Sequence, residues 1–165
     1  MPPYEGPTHG DLDLSVSRLI DAPVATVWRI ATGRMEEYFC PKPWRVEVVE
    51  HDWRAGGRSA LTMHGPDGER MPQEGVFLEV TPPAGTATAR FVFTDSLAAG
   101  WKPQGPFMVG IMEFADEGGK TRYTGTARHW TPEACEQHKA MGFEQGWGIV
   151  AEQLAALAEA EVQPA

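Results

Sequence analysis

Phe143, Trp147, Val150, Leu154 and Leu157 recur at steps of four, three, four and three, the spacing of a helix with one apolar face. Thr131-Pro132-Glu133 supplies its entry: a hydroxyl cap, a proline at the first helical position and an acid in the first turn. The pattern predicts one long helix from Thr131 to about Ala160. Its first half contains Gly142, Gly146 and Gly148, and each glycine in a helix interior costs roughly 1 kcal/mol relative to alanine. Something must compensate. Gly142 and Gly146 stand one turn apart on one face, where a neighbouring backbone or a ligand can come close.

Upstream, the period is different. Leu12, Leu14 and Val16 alternate with Asp13, Ser15 and Ser17, which predicts a half-buried strand. Pro23 opens a short helix with Val24, Val27, Trp28 and Ala31 on one face, ending near Gly33. A further helical turn, Met35 to Phe39, is stopped by Cys40-Pro41-Lys42-Pro43, since proline cannot continue a helix. From Trp44 the period becomes two. Val46 and Val48 alternate with charged residues, Gly56-Gly57 turns the chain, and Leu61 and Met63 continue on the next strand. Gly65-Pro66-Asp67-Gly68 is a hairpin turn. Strands follow around Val76 to Val80, Ala87 to Thr94, Phe107 to Ala115 and Lys120 to Trp130. The order predicts an α+β domain of six to seven antiparallel strands, curved around the C-terminal helix, with two short helices plugging one end. The expected organisation is a loose tail over residues 1–10, one domain over 11–160 and a short trailing end over 161–165.

That architecture buries one sheet face against one helix. Aromatic and methionine side chains such as Phe91, Phe93, Met108, Met112, Tyr123, Phe143 and Trp147 fall on the two surfaces, and on pattern alone they serve as core. Small residues at Gly110, Gly125, Ala127, Gly142 and Gly146 suggest that the interior instead keeps space.

Several stretches, each weak alone, resemble one family in their order and spacing. They are Ile20-Asp21-Ala22-Pro23 with Val27-Trp28, Pro41-Lys42-Pro43-Trp44-Arg45, and Arg54-Ala55-Gly56-Gly57-Arg58. To these add the hairpin turn already noted, Leu78-Glu79-Val80-Thr81-Pro82, Thr121-Arg122-Tyr123-Thr124, His129-Trp130, and Met141 to Gly148. From Leu12 to Leu157 the chain resembles the START-like, or SRPBCC, superfamily with its helix-grip fold. Within it, the chain is similar to bacterial single-domain relatives of the C-terminal domain of the activator of the heat-shock-protein-90 ATPase. The resemblance implies an apolar cavity between sheet and C-terminal helix, a place used across the superfamily for lipids, polyketides and other hydrophobic small molecules. The eukaryotic co-chaperone has a separate N-terminal domain that makes much of the chaperone contact, and nothing in this chain supplies it. The expectation is therefore that this domain does not by itself activate a chaperone ATPase. Many relatives place a tryptophan pair after the second helix, where this chain has Tyr38 and Phe39.

Composition narrows the partners. With 165 residues, 42% hydrophobic and 22% charged, the chain can build a real core. A net charge of −9 and scattered basic residues argue against nucleic acid and anionic membranes. No apolar run approaches a membrane span, and the N-terminus lacks a signal peptide's hydrophobic segment. The two cysteines, Cys40 and Cys135, have no metal-finger spacing and read as reduced thiols, so a cytoplasmic location is expected.

Candidate chemistry is sparse. His129, Cys135 and His138 place three soft donors within ten residues, but the spacing matches no zinc motif, and neither a metal nor a cofactor is expected. Ser59 and Ser96 lack a nucleophile elbow, and Cys40 lacks anything to make a thiolate. His129, His138, Glu144, Tyr123 and Arg128 are the candidates for acid–base work. His51 and His64 read as surface or rim residues. The segment from Ser96 to Pro106 is a long connection that reads as an ordered surface loop with one docked tryptophan, Trp101, or else as a lid. The leading expectation is a binding module for a hydrophobic, ring-containing small molecule. Phe91, Phe93, Met112, Tyr123, Phe143, Gly146 and Trp147 would line its cavity, with Met35 and Phe39 at the mouth. A polyketide-cyclase-like or hydrolase-like enzyme using the same cavity is the alternative, and a co-chaperone-like interaction domain is the second. The oligomeric state stays open.

Overall fold

The computed structural model describes residues 12–84 and 88–162. The expected tail over residues 1–10 lies outside the described residues, as do 163–165 of the expected trailing end. Glu161 and Val162, expected in that end, continue the last helix.

The chain begins with β1 (Asp13–Ile20). Helix α1 (Val24–Gly33) follows, with Pro23 at its N-cap, and buries Val24, Val27, Ile30 and Ala31. A single 3-10 turn, Met35–Glu37, leads towards the sheet. Its exit is held by the Tyr38 hydroxyl, which donates to the Ala31 carbonyl at 2.7 Å inside the protein. The next strands are β2 (Arg45–His51), β3 (Arg58–His64), β4 (Arg70–Thr81) and β5 (Thr88–Thr94). A small hairpin comes next, β6 (Leu97–Ala98) and β7 (Lys102–Pro103), followed by β8 (Met108–Glu117) and β9 (Lys120–His129).

Seven of these strands form one antiparallel sheet in the order β1-β9-β8-β5-β4-β3-β2. β4 runs longer than the sequence pattern predicts because it spans two partners. Its first half pairs with β3 and its second half with β5, the two ladders meeting at Val76. Pro72 sits in the first half, with one neighbour, where its missing N–H breaks no ladder. Register shifts at Val48/Glu50 and Phe77/Glu79 mark bulges, which bend a sheet and strengthen its twist.

The expected single C-terminal helix is two. Helix α2 (Pro132–Ala140) opens at Thr131, whose side chain accepts the Ala134 N–H at 3.1 Å. It stops at Gly142, whose φ of +93° is open to glycine and strained for other residues. The Met141 and Gly142 amides bond back to the carbonyls of Gln137 and Lys139. A new helix, α3 (Phe143–Val162), then starts. Gly142 is thus a helix stop, and no interior penalty arises there. α3 lies across β1, α1 and β9, presenting Ala151, Leu154, Ala155 and Ala158 to the interior. Three alanines on that face let the helix approach closely.

The core gathers at the α1 end of the sheet. Phe91 packs edge-on against Trp28, Trp53 and Phe77 and at a tilt on Phe114, with ring centroids 5.1 to 6.3 Å apart. Phe77, Phe91 and Phe114 are buried completely or nearly so, and each is worth about 1.5–3 kcal/mol of burial.

Candidate functional site

Towards the other end the same sheet face is not filled. A cavity of about 410 Å³ lies there, between β3, β4, β5, β8 and β9 on one side and the α2–α3 elbow on the other. Six of the nine expected residues border it: Phe39, Phe93, Met112, Tyr123, Gly146 and Trp147. The other three point elsewhere. Phe91 belongs to the aromatic core, because β5 turns Phe91 towards α1 while Phe93 faces the cavity. Phe143 is buried behind Trp147, with ring centroids 4.6 Å apart. Met35 borders a separate hollow of about 330 Å³ with Val48, His51 and Trp53.

The glycines divide in the same way. A Cβ on Gly146 would meet nothing within 4 Å, so this position does leave room. Gly110 does not: the Phe93 ring occupies its side-chain space, 2.5 Å from where a Cβ would stand. At Gly125 the room is taken by the Tyr123 hydroxyl and the Trp147 indole, 3.0 and 3.3 Å from that point. These two glycines seat aromatic rings that form the cavity wall, so they shape the space without adding to it.

Methionines that pattern alone did not assign complete the wall. Met63 on β3 and Met71 on β4 join Met108 and Met112 on β8, and Met141 stands at the elbow. Met71 and Met141 are largely exposed, at the cavity's outer edge. The segment Phe39-Cys40-Pro41 closes one side and is fixed by α3. Gln153 donates from its amide to the carbonyls of Tyr38 and Cys40, each at 2.9 Å, and accepts the Lys42 N–H at 3.2 Å. On another side, Asp95 Oδ1 accepts the backbone N–H groups of Phe107 and Met108. The Gln104 amide ties the loop base to the carbonyls of Glu74 and Asp95. The connection from Ser96 to Pro106 is therefore a fastened hairpin. Trp101 remains mostly exposed at its tip, its ring lying against Gly56.

Two histidines meet at the cavity's edge. His129 ends β9 and His138 lies on α2, both buried. His129 Nδ1 lies 2.8 Å from the Leu12 carbonyl, and its Nε2 lies 2.8 Å from His138 Nδ1. The carbonyl can only accept, so the proton sits on His129 Nδ1. In the neutral pair, His138 Nδ1–H donates to His129 Nε2, and His138 Nε2 keeps a bare lone pair. Burial, aided by the neighbouring His129, pushes His138 down to about 4, so it is neutral at pH 7. No carboxylate is hydrogen-bonded to either ring among the described residues. The nearness of His129 and His138 was visible as a spacing; their direct hydrogen bond was not.

His51, expected at the surface, is half-buried against Trp53 and Phe77. Its Nε2 is enclosed and without a hydrogen-bond partner, and burial lowers its pKa to about 4. Cys40 borders the cavity, and burial raises its thiol pKa, the opposite of what a nucleophile needs. Among the described residues no group of three His, Cys, Asp or Glu side chains could hold a metal ion. No helix among them is long and apolar enough to cross a membrane.

A sheet gripping a C-terminal helix, with a hollow between them, defines the START-like helix-grip class. Residues 21–159 match the family described as activator of Hsp90 ATPase homolog 1-like protein, and the chain belongs to that family. A crystal structure of a protein from Nitrosomonas europaea is similar over 92% of this chain and 96% of its own, with 36% identity and a TM-score of 0.84. A crystal structure from Mycobacterium smegmatis matches at 28% identity and a TM-score of 0.70, covering 93% of this chain and 95% of that one. An AHSA1-like protein from Aeromonas hydrophila shares the fold at 19% identity and a TM-score of 0.65, over 91% of this chain and 94% of its own. A comparison with curated proteins finds no match.

Proposed function

We propose that the protein binds a hydrophobic, ring-containing small molecule in the cavity between the sheet and the α2–α3 elbow. One observation carries the reading: a space of about 410 Å³ walled by Phe39, Phe93, Met112 and Trp147, with methionines around it. That size lies within the usual range of small-molecule pockets, roughly 300–1,000 Å³. Thioethers and aromatic rings adapt to apolar ligands of varied outline. Native mass spectrometry of the protein purified from its own host tests the reading by looking for a co-purified molecule. Absence of any such molecule, together with no thermal shift across a library of hydrophobic ring compounds, would sink it.

The His129–His138 pair favours a second reading, catalysis by one inward base. A base held near 4 binds protons weakly at neutral pH, and general-base efficiency falls with basicity. A co-chaperone role finds no support in this site.

A further inference from the structure

Two polar atoms in the wall have no hydrogen-bond partner among the described residues. His138 Nε2 and Tyr123 Oη make no hydrogen bond among the described residues, although both side chains are buried and border the cavity. Neither is sealed away: among the described residues the one enclosed and unpartnered side-chain atom is His51 Nε2. Both lie beside Trp147. Its ring centroid is 6.0 Å from that of His138, and Tyr123 Oη and Trp147 Cε3 share the space above Gly125. Their hydrogen-bonding senses differ. His138 Nε2 only accepts in the neutral pair, whereas burial holds the Tyr123 phenol protonated and able to donate.

Charge on the ligand is disfavoured. No lysine or arginine borders the cavity among the described residues. Its two acids are engaged, Glu74 with Arg58 and Asp95 with backbone N–H groups. A buried carboxylate would meet no counter-charge, and a protein of net charge −9 would repel it on approach. At interior packing density, about 410 Å³ holds roughly 15 non-hydrogen atoms, the size of two or three fused rings.

We infer that the cavity selects an uncharged ring compound bearing a hydroxyl, which donates to His138 Nε2 and accepts from Tyr123 Oη. The inference rests on the ligand-binding reading above. A site built around such groups discriminates against a ligand lacking the hydroxyl, because its polar atoms are then left unpaired.

Three probes test it by titration against tryptophan fluorescence at pH 7.5: 2-naphthol, 2-methylnaphthalene and 2-naphthoate. The expected result is 2-naphthol about tenfold tighter than 2-methylnaphthalene, with 2-naphthoate weakest. Tyr123→Phe should cut that preference severalfold while leaving the melting temperature unchanged, since the hydroxyl makes no hydrogen bond among the described residues. His138→Leu should abolish the preference and keep hydrocarbon binding; if it fails to fold, Tyr123→Phe decides alone. Equal binding of naphthol and methylnaphthalene, tightest binding of naphthoate, or an unchanged preference in Tyr123→Phe overturns the inference and leaves the cavity reading standing. Failure of all three probes to bind would overturn the inference, and the cavity reading would then stand or fall on the co-purification and library tests.

Discussion

Replacing Gly146 with leucine separates space from packing. Gly146 is the fourth residue of α3 and borders the cavity, and a Cβ there would touch nothing within 4 Å. Leucine in place of glycine gains helix propensity, about 0.5–1 kcal/mol near a helix start. Its Cβ enters open space at the border of the apolar cavity. For a domain of this length that gain raises the melting temperature by roughly 1–4 °C. The branched side chain also occupies volume that a ligand needs, so binding of 2-naphthol should fall by more than tenfold. Differential scanning fluorimetry and the fluorescence titration read the two effects independently. Gly110→Ala is the matched contrast. There a Cβ would stand 2.5 Å from Cε1 and Cζ of Phe93, so the ring must move, and overpacking of this kind costs about 1–3 kcal/mol. Loss of stability in Gly146→Leu, or undiminished binding in a folded Gly146→Leu protein, would refute the reasoning.

Acid should weaken the fold through two partly or fully buried histidines. His51 and His138 are held near 4, against about 6.5 when unfolded, so the unfolded chain binds more protons between those values and stability falls as pH drops from 6.5 to 4. With solvent screening of the partly accessible rings, the loss is on the order of 1–2 kcal/mol for each, read from urea midpoints across that window; a flat profile contradicts the burial argument. His51→Phe keeps the edge-on packing against Trp53 and Phe77 while removing the orphaned Nε2. It should stabilise the protein by about 1–2 kcal/mol at neutral pH and flatten part of the acid limb. Gln153→Leu strands the carbonyls of Tyr38 and Cys40 and the Lys42 N–H, with an expected cost of about 1–3 kcal/mol in urea unfolding and weaker ligand binding. A cost under about 0.5 kcal/mol would show that water replaces the amide without loss.

The fold was legible because its signals are local. Period-two alternation, the Thr131 cap and the turn glycines each act within a few residues. The helix break at Gly142 was misread for a related reason. Phe143, Trp147, Val150, Leu154 and Leu157 keep helical spacing on their own, and the apolar pattern before them does not reveal a stop. A glycine inside a helix and a glycine ending one look alike until φ is known. The cavity was legible only as a likelihood of space, because its volume is set between elements distant in sequence. Phe91 and Phe93 are two residues apart on one strand and should share a face. Yet Phe91 meets Trp28 on α1 while Phe93 reaches over Gly110 and Phe39 towards the cavity. Which part of a common face lies under α1 and which under the elbow depends on where the helices cross, and that crossing is written nowhere in the strand.

The histidine pair bears on recognition against turnover. The Leu12 carbonyl fixes one proton on His129, His129 orients His138, and the chain of donors ends in a lone pair at the cavity. A catalytic pair would use a carboxylate in the carbonyl's place, which stabilises the imidazolium and raises basicity. A carbonyl orients His129 as well but contributes no full charge, and burial drives the basicity of His138 down. The same environment that makes His138 a poor base makes its Nε2 a neutral hydrogen-bond acceptor. A group of that kind reads a hydroxyl. It does little to activate one.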